Sequence, residues 1–221
     1  MSEFLHGTQS PWGYIYDAEN LAAFITEEEF NAYTARKFSG DCRVAANIPS
    51  ATASIRNYCG WHIAPSLTCG MVYRVADLRD AFVGPDLIVQ IPATFVSVVS
   101  KVILNAVLDP DTGNFTGDNY EEFDLENNGI LRVYDVSDIN RKSRIFVKYT
   151  AGFGLDQIPA IKELTANRVT HAVTSSYGVM SEAAGGVSVT YSASWAGNTR
   201  STALPDDSRE VLEPYRVRRF F

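Results

Sequence analysis

A change of hydrophobic period in mid-chain constrains this sequence more than any other feature. From about residue 25 to 65, and again from 152 onward, apolar residues recur at helical spacing; from 66 to 151 they alternate or run together as in strands. A chain that switches from one period to the other and back must build both element types, so the expectation is an α+β fold. In detail it is a small helical bundle with a β-rich insertion between the second and third helices.

The helical signals are specific. In Ile25-Thr26-Glu27-Glu28-Glu29-Phe30, Thr26 is placed to cap free amides and Glu29 to reach back. Ile25 and Phe30 occupy the positions of a hydrophobic staple. A first helix is predicted over about 26–38, with Phe30, Tyr33 and Phe38 on one face and Gly40 ending it. Pro49 suits a first turn, so a second is predicted over 49–62, with Ala51, Ile55, Tyr58, Cys59 and His62 in its stripe. A third, over 158–177, carries Ile161, Leu164, Val169, Ala172 and Val173, and a fourth, over 207–215, carries Val211, Leu212 and Tyr215. The stripes predict one core that includes Ile55, Tyr58, Leu164, Val169 and Leu212.

Strands are predicted at 87–91, 102–104, 130–134 and 144–150, where Ile145, Val147 and Tyr149 alternate, with a further strand or hairpin near 186–192. Asp109 to Gly113 and Asn127-Asn128-Gly129 read as turns. Residues 1–24 read as an arm, irregular through residue 20, and the chain ends in a tail.

Composition narrows the function classes. Nineteen basic against twenty-six acidic side chains leave a net charge of −7, the wrong balance for a surface that grips duplex DNA by its phosphates. Three cysteines, Cys42, Cys59 and Cys69, without a Cys-x-x-Cys pair, indicate buried small apolar groups rather than a disulfide framework. The N-terminus shows no signal peptide and no segment is suited to span a membrane. His6, His62 and His171 are scattered, and no nucleophile elbow, phosphate loop or dinucleotide fingerprint is present, so no catalytic residue, metal ligand or cofactor is assigned. Cys59 and His62, three apart, could form a metal or nucleophile pair, but a packed helix face accounts for them equally.

Two segments stand out as surfaces. Residues 109–126 hold Asp109, Asp111, Asp118, Glu121, Glu122, Asp124 and Glu126 without one Lys or Arg. An EF-hand beginning at Asp109 would need Gly and Glu where Asn114 and Tyr120 stand, so that motif fails. A solvated acidic hairpin, a loop facing a channel or partner, and a divalent-ion site remain open. The C-terminus, with Arg216, Arg218, Arg219, Phe220 and Phe221, is basic and aromatic: either a solvated end or a docking peptide with Arg for charge pairing and Phe as anchor.

Three stretches resemble the head–tail connector (adaptor) proteins of tailed phages, in the same order. The first is Ser50 to Ile63, small residues running into Ile55-Arg56-Asn57-Tyr58-Cys59-Gly60-Trp61. The second is Val147-Lys148-Tyr149-Thr150-Ala151-Gly152-Phe153 followed by Ile158-Pro159. The third is Gly185 to Ser192 with Leu212 to Tyr215. The resemblance covers about 25–216 and departs from it in the aromatic arm and the enlarged acidic hairpin. It implies a non-enzymatic subunit of the virion neck, assembled in host cytoplasm into a ring, commonly of twelve. Such a ring sits between portal protein and the next neck or tail protein, and double-stranded DNA passes through it without specific binding. A β-rich glycan- or calcium-binding virion or surface protein is the alternative.

Overall fold

A computed structural model of the chain describes residues 8–16, 20–78, 82–111, 113–126, 129–136, 139–174, 181–184, 187–190 and 206–217. The fold is α+β, with helices and antiparallel sheets. The chain divides into two compact units, one made of Met1–Ala22, Gly60–Gln157 and Tyr215–Phe221, the other of Ala23–Cys59 and Ile158–Pro214.

The first unit is built on strands. In chain order they are β1 (Thr8–Gln9), β2 (Ile15–Tyr16), β3 (Leu67–Arg74), β4 (Phe82–Val83), β5 (Asp86–Gln90), β6 (Val96–Leu108), β7 (Phe115–Tyr120), β8 (Phe123–Glu126), β9 (Ile130–Val133) and β10 (Arg144–Ala151). One sheet runs β1-β2-β3-β10-β6-β7 and a second runs β4-β5-β9-β8. Strand β10 lies inside the larger sheet, in register with β3 from Arg144↔Arg74 to Ala151↔Leu67 and with β6 from Phe146↔Ile103 to Ala151↔Val96. Because side chains alternate across a strand, Ile145, Val147, Tyr149 and Ala151 share one face with Tyr73, Cys69, Leu67, Val102 and Val99, and all of these are buried. The smaller sheet buries Leu87, Val89, Leu131 and Val133 from its own alternation. Tyr73 Oη of the larger sheet donates to the Gln90 carbonyl of the smaller, 2.9 Å away. On the other face of the larger sheet a small cluster of Ile103, Ala106 and Phe146 gathers Val72 and Phe115, with Phe115 stacked on Phe146 at 4.4 Å.

The segment from 8 to 16 is not irregular. Strands β1 and β2 form a hairpin, Thr8↔Tyr16, and β2 pairs with β3 through Ile15↔Gly70 and Tyr16↔Cys69. Pairing with an existing edge, rather than any period of its own, orders so short a stretch. Strand β3 itself is masked in the sequence by Gly70 in its centre, which interrupts the alternation.

The second unit is helical: α1 (Glu27–Tyr33), α2 (Cys42–Cys59), α3 (Pro159–Thr174) and α4 (Asp206–Leu212), with a hairpin of β11 (Ser181–Ala184) and β12 (Val187–Thr190). The capping box is present, Thr26 Oγ1 accepting from Glu29 N–H at 3.1 Å and Glu29 Oε2 from Thr26 N–H at 2.8 Å. Helix α1 nevertheless stops at Tyr33, because Ala35 and Arg36 adopt φ of 48° and 60°, a left-handed turn that no α-helix continues through. Helix α2 begins at Cys42 and not at Pro49. The Asp41 carboxylate accepts Arg43 N–H at 2.9 Å and supplies the start, and Pro49 sits inside the helix, where it withholds one ladder hydrogen bond. Gly60, at φ 80°, closes it, so His62 lies beyond the helix.

The core of this unit gathers Ile25, Phe30, Val44, Ile48, Ala51, Ala166, Val169 and Val173. Ile55 and Leu212 are also fully buried. The stripes are shifted in places: Tyr58 and Leu164 are half-buried, Ala172 is exposed where Thr165 and Ala166 are buried, and Tyr33 and Val211 face outward. Buried Arg56 stacks over Phe24 at 4.7 Å, a cation held against a ring.

Replacing Phe30 by Ala should cost about 3–5 kcal/mol in denaturant unfolding, while Tyr33→Ala, on the exposed side of the same helix, should stay within about 0.5 kcal/mol. Glu29 gives a pH signature. Its carboxyl is held below the usual glutamate value of 4.5 by the Lys162 ammonium 2.5 Å away and by Thr26 N–H. A depressed carboxylate stabilises above its unfolded value and loses that contribution as pH falls through the folded one. The stability difference between wild type and Glu29→Gln, about 1 kcal/mol for a part-exposed pair, should therefore be present at pH 7, begin to fall near pH 4.5 and vanish once the pH is below the lowered folded value.

Candidate assembly surfaces

The acid-only stretch spreads over two sheets. Asp109 and Asp111 occupy the β6–β7 turn, closed by Gly113 N–H to Asp109 O at 2.7 Å and by Asp111 N–H to Asp109 Oδ1 at 3.0 Å. Asp118 lies on β7 opposite Leu104, with its Oδ2 accepting from Asn105 Nδ2 at 3.2 Å. Glu121 and Glu122 fall in the connection from β7 to β8 and are exposed. Asp124 and Glu126 belong to the second sheet, where Asp124 accepts from Tyr134 Oη at 2.8 Å and Glu126 pairs with Arg132 at 3.2 Å. Among the described residues no three His, Cys, Asp or Glu side chains gather as metal ligands would. The arrangement offers dispersed negative charge along an outer strand and its two ends. It is suited to meeting a cationic surface.

The root of the C-terminal segment is anchored. Tyr215 closes a short 3₁₀ turn, Glu213–Tyr215, and its carbonyl accepts from Trp61 Nε1 at 2.5 Å. Its ring sets its edge against Phe153, 5.5 Å between centroids, and Phe153 stacks on Phe95 at 4.6 Å. Arg216 follows, exposed. Arg218, Arg219, Phe220 and Phe221 lie outside the described residues.

Sequence reasoning missed what joins these aromatics. Trp61 abuts His62, and His62 is buried with each ring nitrogen engaged. Tyr14 Oη accepts His62 N–H at 3.0 Å and so donates its own proton to Nδ1, 2.8 Å away. That leaves Nε2–H to donate to the Ala151 carbonyl at 3.0 Å, a neutral ring with its tautomer fixed by its partners. Gly152, at φ 111°, is required beside it, because a Cβ there would meet Pro65 O at 2.4 Å and His62 Nε2 at 2.8 Å. The signal in sequence is the Trp-His step just past a helix-ending glycine, which no spacing rule links to Tyr14.

The possible Cys59–His62 pair is not formed. Cys59 Sγ faces the Leu212 carbonyl at 3.9 Å, while His62 is held by Tyr14 and Ala151. Cys69 is buried, which pushes its thiol up to about 12 and keeps it neutral. Cys42 is exposed and departs from the expected burial. No helix among the described residues is long and apolar enough to cross a membrane.

Comparison with known proteins adds the decisive context. A family model described as head completion protein matches residues 23–218. No curated protein sequence matches the chain significantly. A solved chain from the neck of a native GTA particle computed with C12 symmetry is similar at 15% identity and a TM-score of 0.45, covering 89% of this chain and 95% of that one.

Tyr14→Phe should lower unfolding stability by about 1–3 kcal/mol, since it removes the partner of two buried groups while leaving the ring's volume. Gly152→Ala should be worse than Gly84→Ala, where an added Cβ meets nothing within 4 Å, and thermal unfolding of the three variants checks both predictions.

Proposed function

The chain belongs to the head completion protein family, and from that premise we propose that it is a structural subunit of a virion neck, acting by assembly rather than catalysis. Copies form a closed ring, of twelve in this reading, that joins the portal to the next neck or tail protein and extends the DNA channel. The family match over residues 23–218 carries this reading. The landmark stretches at 50–63, 147–159 and 185–215 support it. The helices serve as the scaffold, a small bundle interrupted by the β-rich insertion, and the insertion serves as the partner-facing feature. A net charge of −7 supports DNA passing without specific binding.

The C-terminal segment is the docking element toward the portal. Its root is fixed at Tyr215 by Trp61 and Phe153, so the basic and aromatic residues beyond it start from a defined point. Repetition around a ring multiplies a weak peptide contact through avidity.

One experiment tests both statements. Portal-containing capsids incubated with the protein and imaged by cryo-electron microscopy should show an added ring with a central hole. A chain lacking residues 216–221 should melt at the same temperature yet leave capsids bare. Unchanged capsids with the full-length chain would reject the neck reading, whereas normal rings from the truncated chain would reject only the docking role.

A further inference from the structure

The larger sheet places like charges directly opposite one another at two rungs of a single face. Arg144 of β10 faces Arg74 of β3, and Lys148 of β10 faces Lys101 of β6. Directly opposed like charges destabilise a sheet, so the Arg74–Arg144 rung does not stabilise the isolated subunit. Between them Phe146 and Ile103 are buried against Phe115 and only Val72 is half-buried, so what the face offers a neighbour is its two cationic rungs, about 13 Å apart along β10. Arg74 and Arg144 are exposed, Lys101 is half-buried, and none of the three has an ion-pair partner among the described residues.

The same chain carries the complement. Asp111, Asp118, Glu121 and Glu122 are exposed, lie in a stretch without any base, and have no ion pair among the described residues. Within one subunit they do not meet the cations. Asp118 sits opposite Leu104, on the sheet face away from Phe146, and Glu121 and Glu122 fall where the chain leaves for the other sheet. Strand β7 is moreover the last strand of its sheet, so its outer edge is available to a neighbour.

We propose that the basic sheet face of one subunit receives the acidic β7 edge and its flanking turns from a second copy. Two different patches that fit one another make a heterologous contact, the type that closes into a ring when repeated about an axis. This rests on the ring reading above and names the surfaces that would form it. Duplex DNA is the competing anion, but phosphate contact does not explain why the same chain keeps exposed acids without an ion pair at the edge of the same sheet.

Two reversals test it, with mixing as the control. One variant carries Arg74→Glu, Lys101→Glu and Arg144→Glu; the other carries Asp111→Lys, Glu121→Lys and Glu122→Lys. Each alone should melt no lower than the wild type, the first slightly higher because Lys101→Glu places a carboxylate opposite Lys148, and should lose self-association by about tenfold or more, through like-charge juxtaposition. An equimolar mixture should recover it, because each reversed face then meets a reversed edge. Native mass and sedimentation velocity read the outcome, in solution and on portal-containing capsids. Wild-type assembly by either variant alone, or no recovery on mixing, overturns the inference while leaving the neck role intact. Failure of the wild type to assemble in both settings overturns the two together. Tight duplex binding by wild type that the first variant loses assigns the face to DNA instead.

Discussion

Strand β10 is the constraint on which the sheet unit depends. It pairs on both sides along its length, so its alternation fixes which side chains of β3 and β6 share a face. A slip of one residue would turn Ile145, Val147 and Tyr149 out of the core and carry Arg144 and Lys148 in. Burying those cations without partners costs far more than any alternative packing could offset. The register is thus enforced from both faces at once.

Around the end of β10 the chain spends its polar contacts on position rather than reactivity. The Ala151 carbonyl accepts a hydrogen bond from His62 Nε2–H, Gly152 makes room for the ring, and Phe153 continues toward Tyr215. His62 is thereby used up as a structural ligand of Tyr14, and burial keeps the Cys69 thiol neutral. The acids of 109–126 divide between the two sheets: Asp124 and Glu126 take partners within the small sheet, whereas Asp118 on β7 of the larger sheet and Glu121 and Glu122 in the connection are exposed.

The sequence by itself determined the α+β class, because hydrophobic period is a local property that burial on one face imposes. It likewise determined the capping box at Thr26 and Glu29 and the alternation of Ile145, Val147 and Tyr149, all set within a few residues. The order of the three landmark stretches carried the family. Tertiary structure alone decided that Tyr14 reaches His62, forty-eight residues away, and that Thr8 to Tyr16 becomes a hairpin by borrowing the edge of β3. It also moved the start of α2 from Pro49 back to Cys42, since one missing ladder bond is outweighed by an N-terminal cap and a packed face containing Val44 and Ile48. Periodicity reports what a segment buries but is silent on its partner. Which strand lies beside which, and therefore that Arg74, Arg144, Lys101 and Lys148 share one face, is fixed only when distant segments choose a common register.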